Sequence, residues 1–154
     1  MARQLIQYRV NAIRTPSVNP KTLVQIIAPT NIRVVIHSVQ INLLGSVGAS
    51  APLEFDIIRQ TDNPAGWAAA YTPFTQLENP ETVQTAVEEA TADGGAEPTA
   101  SGNPVDSFAL HQQVPFLWTP GNPDRRIVIP GGQIYGIRAL FTAVAVRLAV
   151  NLEE

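Results

Sequence analysis

An antiparallel, all-β sandwich or barrel is the fold class this sequence predicts, and three observations point to it. Thirteen prolines and ten glycines, spread along 154 residues, cut the chain into short segments. Most of those segments are rich in Val, Ile and Thr, which suit a pleated, half-buried surface. No rhythm of strand and long helix runs through them, so a parallel βαβ sheet is not expected. The length matches one ordinary domain, and such a chain buries about 68–70% of its unfolded surface, enough for a core of its own.

The elements follow in order. Residues 1–20 read as an N-terminal arm and first strand: Leu5, Tyr8, Val10 and Ala12 recur within Gln4–Ile13 before the break at Thr15–Pro20, which holds two prolines and Asn19. Residues 21–154 form the single sandwich domain. Leu23–Ala28 is apolar and is closed by Pro29, which has no N–H for a central ladder. Ile32–Leu44 is the longest strand-like run. Its apolar parity switches near Ser38–Val39, from Val34 and Ile36 to Val39, Ile41 and Leu43, which predicts a bulge or burial on both faces. After the small-residue loop Gly45–Pro52, Leu53–Gln60 places Leu53, Phe55 and Ile57 on one face and Glu54, Asp56 and Ile58 on the other. Thr61–Gly66 is turn chemistry.

The last third repeats the pattern. Ser107–Trp118 reads as one strand region in which Pro115 marks an edge. Thr119–Asp124 is a turn, and Arg126–Ile129 is a short strand stopped by Pro130-Gly131-Gly132. Gln133–Leu140 and Ala143–Leu152 are the final strands; Val144, Val146, Leu148, Val150 and Leu152 hold one parity throughout. About eight strands result.

Residues 65–104 are the large excursion from this frame, irregular or partly helical. Asn79-Pro80-Glu81 is a helix start, with Asn at the N-cap, Pro at the first position and an acidic first turn. Val83, Ala86, Val87 and Ala90 recur at helical spacing up to Gly94-Gly95. The same Thr/Ala/Glu-rich stretch also suits an extended crossing, and the two readings of 79–92 stay open.

Composition narrows the function. Only 15% of residues are charged, against a usual ~25%, with a formal net charge of −3. A nucleic-acid binder needs a basic excess to meet phosphates, so that partner is excluded as a primary one. Absence of cysteine removes disulfides, thiolate zinc sites and thiol catalysis. The N-terminus lacks a signal peptide's apolar stretch, and Ala139–Leu152 is too short to span a bilayer and is interrupted by Arg147, so no membrane partner is expected.

No catalytic constellation emerges. His37 and His111 are the only histidines, and no H-x-H or H-E-x-x-H spacing is present; structural roles are the simpler reading. No G-x-S-x-G elbow occurs. Gly45-Ser46-Val47-Gly48 lacks the lysine and hydroxyl of a phosphate loop, since the single lysine is Lys21. Glu88 and Glu89 are adjacent and do not face a common cleft as a glycosidase pair must. Catalytic, metal and cofactor residues are therefore expected to be none.

What remains points to contact. Trp67, Tyr71 and Phe74 flank a turn and form either core or a partner-binding patch, since Trp and Tyr are enriched at interfaces. Nine of the ten basic residues are arginine, the cation favoured in buried and interfacial pairs. A chain this poor in charge packs against neighbours or carries a bland amide and hydroxyl surface, and both suit life in a larger assembly. Arg3, Arg9 and Arg14 in the arm are candidate partner contacts, reaching onto a larger body or a neighbouring protomer.

Two stretches carry a resemblance. In the stretch from Val24 to Arg59 and just beyond it, QIIAPTNIRVVIHSVQINLLG followed by PLEFDIIRQT resembles the opening of small virion proteins of tailed bacteriophages. HQQVPFLWTPGNPDRRIVIPGGQIYGIRAL and the last apolar strand, His111–Glu154, resemble their close, with Ile127–Ile134 the most specific piece. That family consists of jelly-roll sandwiches that decorate or cement the capsid, usually as trimers. The resemblance implies a jelly roll of about eight strands, a homotrimer, the major capsid protein as partner, and a place on the outer capsid surface of the virion after synthesis in the host cytoplasm. It implies no enzyme activity and no cofactor. A receptor- or glycan-binding module of a phage tail or fibre is the alternative, and it predicts an exposed aromatic platform at Trp67 and Tyr71. A cupin-like enzyme shares the architecture but needs several inward histidines and carboxylates.

Overall fold

Twelve strand segments, every pair antiparallel, build two six-stranded sheets in a computed structural model that describes residues 7–44, 52–64, 67–68, 75–76, 85–90, 96–111, 114–122 and 126–154. They are β1 (Gln7–Arg14), β2 (Lys21–Ile27), β3 (Val34–Leu44), β4 (Leu53–Gln60), β5 (Trp67–Ala68), β6 (Thr75–Gln76), β7 (Ala86–Ala90), β8 (Asp106–Leu110), β9 (Phe116–Trp118), β10 (Ile127–Ile129), β11 (Ile134–Ala139) and β12 (Ala145–Glu153). Sheet one runs β10-β3-β12-β1-β6, with β9 also paired to β3; sheet two runs β5-β7-β2-β11-β4-β8. No helix occurs among the described residues.

Alternation sets which side chains meet between the sheets. Val146, Leu148, Val150 and Leu152 of β12 lie in register with Leu43, Ile41, Val39 and Ile36 of β3, while Val150 and Leu148 also face Val10 and Ala12 of β1. Phe55 and Ile57 of β4 face Ala139 and Ile137 of β11, and Ile137 faces Val24 of β2. All of these except the half-buried Leu43 are buried and form one apolar cluster. One period-two pattern per strand thus gives a two-layer core.

The parity switch in β3 is a bulge. Asn151 pairs with Ser38 but Leu152 with Ile36, so His37 is the extra residue. The resulting half-step returns Val34 and Ile36 to the same inner face as Val39 and Ile41. The Ile127–Ile134 turn is equally specific. Gln133 N donates to Pro130 O at 3.1 Å, and Gly132 sits at the third position with φ +75°, where a side chain is disfavoured. Gly131 packs against backbone: a Cβ there would lie 2.3 Å from Thr30 O.

Four expectations from the sequence are decided, sharpened or corrected. The first strand expected at Gln4–Ile13 is Gln7–Arg14, which pairs with β12 over eight residues and buries Val10 and Ala12, so these residues belong to the sandwich and not to an arm. Ser107–Trp118 is two strands in different sheets, separated around Pro115. Trp67 has a strand backbone, β5, paired to Ala90 of β7 rather than a loop. Within 79–92, residues 86–90 are strand: Gln25, Ile26 and Ile27 pair with Glu88, Val87 and Ala86. Pairing along β2 and complete burial of Val87 outweigh local helix preference, which amounts to at most about 0.7 kcal/mol for an ordinary residue. The helix-start residues Asn79, Pro80 and Glu81 lie outside the described residues, as do Val83, Gly94, Gly95 and Gly45–Ser50.

Candidate interaction surface

The two outward faces of the sandwich differ in kind. On sheet two, Thr22, Gln25, Asp56, Ile58 and Gln60 alternate away from the core and are buried, whereas Glu54, Ser107 and Ala109 on the same face are exposed. Arg138, between Thr22 and Asp56 in register, makes a two-pronged pair with Asp56: Nε to Oδ1 at 2.8 Å and Nη2 to Oδ2 at 2.5 Å. Its side chain is 12% exposed and that of Asp56 is 2% exposed. The hydrogen bond to Asp56 holds the guanidinium pKa above its ordinary range, burial opposes this, and the charges of Asp56 and Glu97 add to the rise.

The chain covers the centre of this face itself. Glu97 accepts the Thr22 backbone N–H on both carboxylate oxygens at 2.9 Å and also the Thr22 hydroxyl. Gln25 Nε2 donates to Asp62 O at 2.8 Å, and Asp62 accepts from Thr99 N and Thr99 Oγ1 at 2.6 and 2.9 Å. Residues near Asp62 and Glu97 therefore hold the excursion down where it leaves and rejoins the sheet. Most polar groups at the centre of this face are thus matched within the chain, while Gln25 Oε1 is buried without a hydrogen-bond partner.

Sheet one's outward face is buried at Val35, Ser38, Ala149 and Glu153 and exposed at its flanks. Six large apolar side chains are exposed among the described residues, and three of them alternate outward from this sheet: Ile13 at 50%, Leu117 at 60% and Val128 at 42%. Between them runs a stripe of amides and arginines. Arg9 Nη2 donates to Gln40 Oε1 at 2.9 Å, while Arg9 Nε is buried with no acceptor. Asn151 Nδ2 donates to Ser38 Oγ at 2.7 Å. Arg147 is exposed and lies in register between Ile13 and Asn42. At the far end, His37 Nε2 meets Glu153 Oε2 at 3.0 Å, and Gln7 Nε2 donates to the same oxygen at 3.1 Å. Arginines, which are enriched at interfaces, lie on this face beside exposed apolar side chains.

The side where β8 meets β9 and β10 adds a groove. Phe55, Phe108 and Phe116 stack in series, with centroids 5.8 and 5.2 Å apart, and Phe141 meets Phe55 edge-on at 5.0 Å. Outside this aromatic seam, Trp118 Nε1 donates to Asp106 Oδ2 at 2.8 Å.

Of the predicted contact residues, Arg9 lies on the outward face of sheet one, and Arg14 ends β1. Trp67 is placed only by its backbone in β5. Arg3, Tyr71 and Phe74 lie outside the described residues. Ile13, Leu117 and Val128 were missed. The signal for them was parity: in Ile127-Val128-Ile129 the flanking isoleucines are inward, so the valine between them must face out. Among the described residues no group of three or more His, Asp or Glu is placed to hold a metal. No helix there is long and apolar enough to cross a membrane. Comparison with protein-family models, curated proteins and solved structures found no match.

Proposed function

We propose that the protein is a jelly-roll adhesion module that decorates the outside of a phage capsid and stabilises the expanded shell, as a homotrimer bound to the major capsid protein. The observation that carries this reading is the exposure of three large apolar side chains, Ile13, Leu117 and Val128, on the outward face of sheet one. The jelly-roll part rests on strand order. Counting β9 and β10 as one position, eight main strands pair first with last (β1–β12), second with seventh (β2–β11), third with sixth (β3–β10) and fourth with fifth (β4–β8). A long antiparallel ribbon wound into two Greek keys produces that order.

The mechanism is mass action. A protein that binds only the expanded shell shifts the balance toward it by about 2.7 kcal/mol per site at a hundredfold excess over Kd. Three linked copies at a three-fold junction multiply weak contacts through effective concentration. The test mixes purified protein with expanded and unexpanded shells of tailed phages and measures co-sedimentation and heat resistance. Retention on expanded shells alone, with a higher disruption temperature, is the expected result. Retention on cell-surface polysaccharide with none on shells contradicts it and favours a receptor-binding module.

A further inference from the structure

We propose that copies of this chain join head to tail: the exposed pair Ile13 and Arg147 of one copy enters the rim of the next where β8 meets β9 and β10, with Arg147 on Asp106. The contact rests on the homotrimeric reading above and names the two surfaces that make it. Register sets the first of them. Ile13 of β1 stands opposite Arg147 of β12, both outward on sheet one, so their Cα atoms are about 4.5–5.5 Å apart and the side chains project together. Both are exposed, and among the described residues the Arg147 guanidinium meets no carboxylate. A two-fold contact between two such patches brings Arg147 against Arg147, and like charges oppose it. This patch needs a different surface as its partner.

That surface lies across β3, on the side where the edges of the two sheets meet. Two hollows adjoin at Asp106. One of about 510 Å³ is walled by Trp118–Asn122 and is lined by no basic side chain. The other, of about 490 Å³, is walled by Val105, Ile127 and Val128, with Arg126 on its β10 side. Ser107 N donates to Asp106 Oδ1 and Trp118 Nε1 to Oδ2, each at 2.8 Å, which fixes the carboxylate and leaves each oxygen room for another donor. A fixed carboxylate suits the planar fork of an arginine. Arg147 of the incoming copy takes the first hollow and reaches Asp106 away from Arg126; Ile13 takes the second, against Val105 and Val128.

Two features favour a closed ring. The two surfaces occupy neighbouring sides of one sandwich, a broad face and the edge beside it. A head-to-tail contact between neighbouring sides turns back on itself, whereas one between opposite sides builds a filament. The contact also covers Ile13, Val105, Leu117 and Val128, four of the six large apolar side chains exposed among the described residues. Leu117 and Val128 are the sheet-one lip of the receiving rim, which gives both flanks of the outward face a part in one interface.

The chain has no cysteine, so introduced ones report this contact alone. Full-length Ile13→Cys/Val105→Cys is treated with a short bismaleimide and run on a denaturing gel beside each single variant. Covalent trimer is expected from the double variant, while each single variant, holding only one half of the contact, stays monomeric on the gel. Arg147→Glu is expected to raise the concentration at which the assembly dissociates about tenfold or more, and Asp106→Arg added to it to restore assembly. Should Asp106→Arg not fold, the cysteine pair decides, since both of its positions are exposed. Covalent dimer from Ile13→Cys alone, or a trimer by light scattering whose paired cysteines do not join, overturns this contact and leaves the homotrimer standing. A monomer by light scattering overturns both.

Discussion

Gln25 and Gln60 join their side-chain amides over the top of an intervening strand, Nε2 to Oε1 at 2.9 Å, although they belong to β2 and β4 and β11 runs between them. The contact is possible because Gly136 of β11 leaves the space empty; a Cβ there would lie 2.5 Å from Gln60 Nε2. Gln60 passes the chain on, donating to Thr22 Oγ1 at 2.8 Å, and Thr22 in turn is held by Glu97. The polar network on sheet two therefore rests on a glycine that is needed for close approach rather than for a turn.

Gly136→Ala is expected to displace the Gln60 amide and leave buried polar groups unmatched, a loss of about 1–3 kcal/mol. Urea unfolding measures it. Adding Gln60→Ala removes the clash, so the double variant is expected to be less destabilised than the sum of the two single changes.

Asp56→Ala leaves the Arg138 guanidinium largely buried without its carboxylate, and about 3–5 kcal/mol of stability is expected to be lost. Replacing both by apolar residues of similar volume is expected to recover most of it. The raised Arg138 pKa fixes the sign of the pH effect. The stabilisation is complete below the ordinary guanidinium range and is lost only as pH climbs through the folded value, in strongly alkaline solution. Arg138 itself therefore adds no slope to stability between neutral and moderately alkaline pH, which denaturant titrations at several pH values check.

Ala143 adopts φ 64°, the left-handed region, while its N–H donates to Pro16 O at 2.9 Å. A Cβ there costs about 1–2 kcal/mol, partly offset by the entropy a glycine adds to the unfolded chain. Ala143→Gly is expected to raise stability by about 0.5–1 kcal/mol in a thermal melt, whereas Gly131→Ala, driven into Thr30 O, is expected to lower it by about 1–3 kcal/mol or more.

Removing residues 1–14 is expected to prevent folding. Val10 and Ala12 are core residues, and β12 loses its whole partner on that side. Circular dichroism of the truncated chain checks this.

Much of the architecture was legible because it depends on local alternation. Leu53–Gln60 was readable to the residue, and the bulge at His37 announced itself as a change of apolar parity near Ser38–Val39. What local pattern does not carry is the sheet to which a strand belongs. Phe108 and Phe116 look continuous in sequence yet lie in different sheets, joined only by ring stacking. Nor does it reveal partners distant in sequence: Ala86–Ala90 has helical spacing and becomes strand because β2 has an edge to fill. The interaction surface was hidden for the same reason. Whether Leu117 is core or surface depends on the covering above it, and only the three-dimensional arrangement shows that Leu117 is exposed while Ile58, also facing outward, is buried.

Light scattering of the purified protein beside an Ile13→Glu/Leu117→Glu variant tests most directly whether the outward face of sheet one is the adhesive one. The unmodified protein is expected at about three times the 16.6 kDa chain mass, with the variant folded and monomeric. A monodisperse monomer for the unmodified chain, or an unchanged assembly carrying both glutamates, contradicts the account.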